Sequence, residues 1–417
     1  MRQVLFVSFD LIRTGEIEKP LAIASLLSYL KKDSELTDKM DFLHLSINSL
    51  NHREKTDISN YEQYLAGYNF EKISFIAISA YIWNEYLING FIRKLREFGF
   101  GGKVILGGYQ ITYDDKSTLS INYPDAQIFI SGYAEQSLKE LFLMEEPIDN
   151  PLFLNAPVDF AQLPSPYLTQ EIQIPVGTSM LRLETKRGCP YRCSFCAHRD
   201  LTYNKVFKHP LEKVFEELSL VRERQVKKVN ILDPIFNSGK EYLEVMKEIN
   251  RSNTQTIFTL QSRFENIKGA SGSEFLNHCS EGNYHLEFGL QTSDLFESQA
   301  INRKNNGDQI ESALIELQER NISYEVSLIY GLPGQTLDSF RRSIDFVQSK
   351  GCNTVKAFPL MLLRGTELFA QKQKWNITEE VIGDFDIPLV TSSSTFNREE
   401  WGKMDEIASS LSAHERI

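Results

Sequence analysis

"MLRLETKRGCPYRCSFC", residues 180–196, reads as a short alternating strand that runs straight into a loop carrying Cys189, Cys193 and Cys196. Gly188 and Pro190 punctuate that loop, and such residues end a strand and redirect the chain. Further strand-patterned segments follow at 229–233, 256–261, 285–291, 324–331 and 354–360, separated by helix-patterned stretches such as 210–224 and 336–350. Strands and helices in alternation build a parallel sheet, because a crossover must return the chain before each new strand. Such a series of strand-helix units predicts an incomplete parallel barrel, with its chemistry at the carboxyl ends of the strands. The cysteines fall at that rim.

Upstream, the first 145 residues alternate in the same way. Strand patterns at 4–10, 42–47, 73–81, 103–108 and 126–132 are interleaved with helix patterns at 19–32, up to 98, and at 134–143. This predicts a doubly wound, flavodoxin-like domain whose ligand crevice lies beyond the carboxyl ends of its strands. Between 146 and 178 the chain carries Pro147, Pro151, Pro157, Pro164, Pro166 and Pro175 with little periodicity, which reads as a stiff, extended connection. The expected organisation is therefore an α/β domain over 1–145, a Pro-rich linker over 146–178, a partial barrel over 179–365 and an unassigned extension over 366–417.

Composition narrows the function classes. The formal charge of -11 argues against general affinity for nucleic acid, which is bound by clustered Lys and Arg. No apolar run approaches the roughly 20 residues of a membrane helix, and the N-terminal "MRQVLFVSFDLIR" lacks a signal-peptide cleavage pattern. A cytoplasmic protein with no membrane and no nucleic-acid partner is expected. Five cysteines, three of them within eight residues, do not make a disulfide scaffold and suit reduced, metal-binding thiols better. Cys279 and Cys352 stand apart and are expected to be buried as small apolar residues.

The CxxxCxxC spacing differs from the paired CxxC knuckles of zinc ribbons, and no second pair completes a four-ligand zinc site. Three thiolates from one loop can hold three corners of a 4Fe-4S cluster and leave the fourth iron open to a substrate's amine and carboxylate. Zinc, or unligated thiols that merely cluster, are the alternatives. Phe195, beside the last of these cysteines, would keep water off the site. His198 is expected to stay a solvated neighbour, since a filled fourth corner would block the open iron.

Together with "LDPIFN" at 232–237, "LEFGLQT" at 286–292 and "IYGLPGQT" at 329–336, the cysteine motif resembles that of radical S-adenosylmethionine (SAM) enzymes over residues 178–365. The resemblance implies a partial (β/α)6 barrel in which the open iron chelates SAM and an electron breaks a C-S bond to give a 5'-deoxyadenosyl radical. It implies that Cys189, Cys193 and Cys196 ligate the cluster and that Glu287, assisted by Gln291, is the acidic SAM contact. It pairs Arg303 with the SAM carboxylate, and sets Gly331, Leu332 and Pro333 at the turn beside the adenine. Asp233 stands where many members carry Gly-Gly-Glu for the SAM amine; a plain helix-capping Asp is the other reading.

The stretches "KPLAIASLLSYLK" (19–31), "AISAYIWN" (77–84), "ILGGYQITYD" (105–114) and "ISGYAEQSLKEL" (130–141) resemble the cobalamin-binding domain that precedes the barrel in one large radical SAM class. That implies cobalamin contacts from Ser79, Tyr81, Gly107, Gly108, Tyr109, Gly132 and Glu135, without a histidine ligand, since the chain has no DxHxxG segment. Tight turns, a helix cap and a first-turn Glu at the helix dipole would account for the same residues without a ligand. The implied activity is cobalamin-dependent methylation of a small molecule, with an external electron donor such as flavodoxin or ferredoxin. Rearrangement, dehydration or aminocarboxypropyl transfer on the same cluster, or a noncatalytic cobalamin or cluster sensor, are the alternatives.

Overall fold

The computed structural model describes residues 1–13, 15–49, 61–144, 151–199, 205–251, 255–383 and 386–413. The expected boundary at 145/146 and Pro147 lie outside them. Contacts divide the chain into one unit of Met1–Ile174 with Ile382–Ile387, and a second of Pro175–Val381 with Pro388–Ile417.

In the first unit, β1 (Arg2–Asp10), β2 (Met40–Asn48), β3 (Ile73–Ser79), β4 (Lys103–Gly107), β5 (Ile128–Ile130) and β6 (Leu152–Leu154) form one sheet in the order β2-β1-β3-β4-β5-β6. All neighbouring pairs are parallel. The order reverses between β1 and β3, so the crevice of a flavodoxin-like sheet falls there. Residues alternate between two cores along β1: Leu5, Val7 and Phe9 pack on one face, Val4 and Phe6 on the other. A strand buried on both faces is the signature of a parallel sheet covered by helices. The sixth strand, Leu152–Leu154, comes from within the Pro-rich stretch, where three residues are too few to show periodicity. Glu171, further along that stretch, accepts from Lys19 at 2.5 Å and Lys31 at 2.8 Å and pins it to the helix Leu21–Lys31.

The second unit carries β7 (Leu181–Leu183), the short pair β8 (Lys186–Arg187) and β9 (Phe207–Lys208), then β10 (Lys228–Ile231), β11 (Ile257–Ser262), β12 (Tyr284–Gln291), β13 (Ser323–Tyr330) and β14 (Val355–Pro359). The main sheet runs β14-β13-β12-β11-β10-β7, parallel throughout. It is an open, incomplete barrel. Even-numbered β12 residues Tyr284, Leu286, Phe288 and Leu290 are buried, while His285, Glu287, Gly289 and Gln291 are only partly so. Period two thus separates an apolar, helix-covered face from a polar inner one. The extension after 365 adds β15 (Thr378–Ile382) and β16 (Ile387–Ser392) as a second small sheet, and a helix Arg398–Ala413. The Asn397 side chain starts that helix by accepting from Glu399 N and Glu400 N, each at 3.0 Å. Val390 N donates to Leu360 O at 2.9 Å, so β16 runs on just past the outer strand of the barrel. No helix among the described residues is long and apolar enough to cross a membrane.

Candidate functional site

The cysteine loop is an excursion closed at its base. β8 and β9 pair antiparallel, Lys186 with Lys208 and Arg187 with Phe207, and Gly188 makes the exit at φ +90°. A Cβ there would meet Lys205 O at 2.5 Å, so only glycine fits. Beyond it, Ser194 N donates to Ile301 O (2.9 Å), Leu368 N to Ser194 O (2.8 Å) and Asn302 Nδ2 to Arg192 O (2.8 Å). Two separate segments, one at Ile301 and Asn302 and the other at Leu368, therefore hold the loop in place.

Cys189, Cys193 and Cys196 all line one cavity of about 540 Å3 at the carboxyl ends of the barrel strands. Phe195, Glu287, Gln291 and Arg303 line it too, as do Tyr191, Gln261, Arg263 and Ser327, with an apolar wall including Ile329, Leu360, Met361 and Leu363. Burial pushes the Cys196 thiol up to about 11 and raises that of Cys189, so metal would have to displace protons to bind. Two guanidinium groups approach one sulfur: Arg303 Nη1 lies 3.7 Å and Arg263 Nη1 4.0 Å from Cys193 Sγ. Among the described residues no three His, Cys, Asp or Glu side chains converge as the ligands of one metal ion. A cubane cluster takes each thiolate on a different iron. The residues present fit such a cluster. His198 is exposed, and only its backbone N–H reaches a sulfur, Cys196 Sγ at 3.5 Å.

Glu287 sits in register between Gln261 on β11 and Glu325 on β13. Burial, and then the charge of Glu325, hold its carboxyl above the ordinary range. No hydrogen bond from the described residues reaches it, which leaves its oxygens open to a ligand. Arg303 is 6% exposed and donates through Nη2 to Gly289 O, yet its Nε is buried without a partner.

Asp233 is placed differently. It is fully buried and outside the cavity lining. Its carboxylate accepts from Thr185 N at 2.8 Å, Lys186 N at 3.1 Å and the Thr185 hydroxyl. Lys186 in turn donates to Phe236 O and Ser238 O, at 2.7 and 2.8 Å, and burial brings its pKa down to about 8. Asp233 thus fastens the strand leading into the cysteine loop. Gly331, Leu332 and Pro333 are likewise buried outside the lining, and Gly331 N and Leu332 N both donate to Gln335 Oε1, at 2.7 and 3.2 Å. Arg263, Tyr191 and Gln261 were not singled out from sequence, although Arg263 directly follows a barrel strand, and that position is itself the signal. Cys279 and Cys352 are 4% and 3% exposed, as expected.

In the first unit, Ser79, Gly107 and Gly108, and Gly132 follow or end β3, β4 and β5. Gly108 has φ +93°, and a Cβ would stand 2.7 Å from Ala80 O, so the β3 and β4 termini touch backbone to backbone. Tyr81 stacks on Trp83 at 4.6 Å, and Tyr109 lies 4.5 Å from Tyr113. Gly132 N donates to Thr112 Oγ1 at 3.0 Å. Glu135 is 3% exposed in the first turn of the helix Ala134–Leu143.

Residues 183–347 match the family model described as Radical SAM superfamily. Over 310 residues, 66% of this chain, the sequence is 26% identical to the 2-(S-pantetheinyl)-carbapenam-3-carboxylate methyltransferase of Streptantibioticus cattleyicolor. Over 307 residues it is 24% identical to the cobalamin-dependent radical SAM methyltransferase TokK of Streptomyces tokunonensis. The chain spans 45% of the length of each. The radical S-adenosylmethionine methyltransferase TsrM of Kitasatospora setae, solved with cobalamin and a [4Fe-4S] cluster bound, superposes with a TM-score of 0.70 at 14% identity. That alignment covers 98% of this chain and 89% of TsrM, a likeness of fold.

Proposed function

We propose that this chain, whose residues 183–347 match the Radical SAM superfamily model, is a cobalamin-dependent radical SAM methyltransferase acting on a small molecule. The observation that carries the reading is the single cavity shared by the cysteines and by Glu287, Gln291 and Arg303. When bound, a 4Fe-4S cluster supplies the electron that breaks a C-S bond of SAM, and cobalamin supplies the methyl group. Cys189, Cys193 and Cys196 hold the cluster. The unpartnered Nε of Arg303 donates to the SAM carboxylate, a charge-assisted hydrogen bond. Glu287 accepts from SAM hydroxyl or amine groups, with Gln291 beside it. Phe195 and the wall of Ile329, Leu360, Met361 and Leu363 exclude water and present an apolar surface to the substrate.

Asp233 and the turn Gly331–Leu332–Pro333 act from behind this surface by fixing the rim. In the first unit, Gly107, Gly108 and Gly132 allow close approach of a broad ring, Ser79 offers a hydroxyl, Tyr81 and Tyr109 offer aromatic faces, and Glu135 anchors the adjacent helix. A cavity of about 540 Å3 suits a small ligand. The relatives named as methyltransferases support the reaction class, and TsrM, solved with cobalamin and a cluster, supports the cofactor set. The electron comes from an external donor such as flavodoxin or ferredoxin in the cytoplasm.

The test is anaerobic turnover of reconstituted protein with SAM, cobalamin and dithionite. Both 5'-deoxyadenosine and S-adenosylhomocysteine are expected, the latter only with cobalamin. Deoxyadenosine with no cobalamin-dependent S-adenosylhomocysteine would move the protein to other radical chemistry, and no deoxyadenosine at all to a sensor.

A further inference from the structure

Two arginines reach Cys193 Sγ, and their surroundings set them apart. Arg303 keeps a buried, unpartnered Nε and can still take a ligand. Arg263 cannot. Its Nε and Nη2 are both spent on Glu265, at 3.0 Å each. Its guanidinium plane is covered by Tyr191, 3.8 Å from the ring centroid, and it is 3% exposed. Its backbone is clamped as well, because Arg263 N donates to Asn237 Oδ1 and Asn237 Nδ2 to Arg263 O, both at 3.0 Å. The clamp extends to the stacking ring: Tyr191 Oη donates to Asn266 Oδ1 at 2.8 Å and Asn266 Nδ2 to Asn237 O at 2.9 Å. What remains is Nη1, directed to Cys193 Sγ at 4.0 Å.

We propose that Arg263 is a positioning residue whose fixed cation beside Cys193 raises the reduction potential of the bound cluster, a role that rests on the cluster reading above. The physical reason is general: reduction adds negative charge to a cluster, and a cation or hydrogen bond at a ligating sulfur stabilises the reduced form more than the oxidised one. Glu265 offsets part of that charge, but Nη1, the nitrogen it leaves unpaired, is held toward the sulfur at constant distance in a site of low dielectric, where charge and hydrogen bond act most strongly.

The experiment is an EPR-monitored redox titration, without SAM, of anaerobically reconstituted wild type, Arg263→Gln, Arg263→Lys and the control Arg192→Gln, with iron content measured on each. Arg192 is exposed on the same loop and is held there through its carbonyl. With full iron in all, Arg263→Gln is expected to lose about tenfold in the reduction equilibrium, or about 59 mV toward negative potential. Arg263→Lys should shift less, because it keeps the charge and loses the fork. Arg192→Gln should not shift. An unchanged potential in a fully loaded Arg263→Gln overturns the proposal. So does loss of iron from both Arg263 variants, which would make the residue one of assembly. A wild type that takes up no cluster instead sinks the function proposed above, and the two failures are distinguished by the wild-type iron content alone.

Discussion

The two parallel sheets end in rims of opposite character. In the first unit the carboxyl ends of β3 and β4 meet through glycine backbone, Ala80 N donating to Gly107 O at 2.7 Å and Gln110 N to Ala80 O at 3.1 Å, with aromatic pairs beyond. In the second, the rim carries thiols, a half-buried carboxylate and a guanidinium with an unpartnered nitrogen. One architecture therefore presents strand ends closed by backbone contact in one place and a cavity lined by thiols, a carboxylate and guanidinium groups in the other. The lesson is that the sheet supplies the location and the residues at strand ends supply the chemistry.

The sharpest way to break the contrast is to remove one thiol. Cys193→Ala is expected to lose the cluster and abolish deoxyadenosine formation, read by iron analysis and product chromatography, while leaving cobalamin uptake intact. If cobalamin uptake falls with it, the two rims are not chemically separate. Glu287→Gln should weaken SAM binding about 10- to 100-fold, the worth of a hydrogen bond to a charged group, in equilibrium binding to the loaded protein. Asp233→Ala sharpens the comparison within the second rim. It strips three donors of a buried acceptor, so unfolding should become easier by about 2–3 kcal/mol, with SAM affinity unchanged. A fall in affinity at unchanged stability would return Asp233 to the SAM site.

A pH-dependent effect is expected in the first unit. Burial, aided by Lys19, brings His44 down to about 4 from 6.5. The unfolded chain takes up that proton near pH 6.5, the folded one only near 4, so His44 contributes fully above 6.5 and the contribution drains as pH falls toward 4. Denaturation midpoints of wild type and His44→Asn should converge across that window. Parallel curves would show that His44 is not the titrating group.

Most strand positions were legible because both sheets are parallel and buried on at least one face, which writes apolar runs or alternation into each strand. The helix at 134–143 and those at 210–224 and 336–350 differ from Ala134–Leu143, Leu211–Glu223 and Leu337–Ser349 by at most a residue at each end. The extension after 365 was not legible. β15 is five residues with no buried position, so it carries no period, and it forms only by pairing with β16. In the site, Cys189, Cys193, Cys196, Phe195, Glu287, Gln291 and Arg303 were chosen by motif and meet at one cavity. Asp233, open in the sequence between a SAM contact and a helix cap, has its carboxylate held by Thr185 and by Lys186 N, residues 48 and 47 positions away that no local pattern points to.

Local order in the chain determined the α/β class, the two series of strands and the clustering of thiols at a strand end, since hydrophobic period and residue spacing are properties of neighbours along the backbone. Which arginine is open to a ligand and which is locked, and which carboxylate is free and which is consumed, were decided by contacts between residues far apart in sequence. Arg263 and Arg303 are the same side chain to a sequence; Glu265, Tyr191 and Asn237 make one of them a fixed charge, and the other, bonded through Nη1 and Nη2, keeps an Nε without a partner.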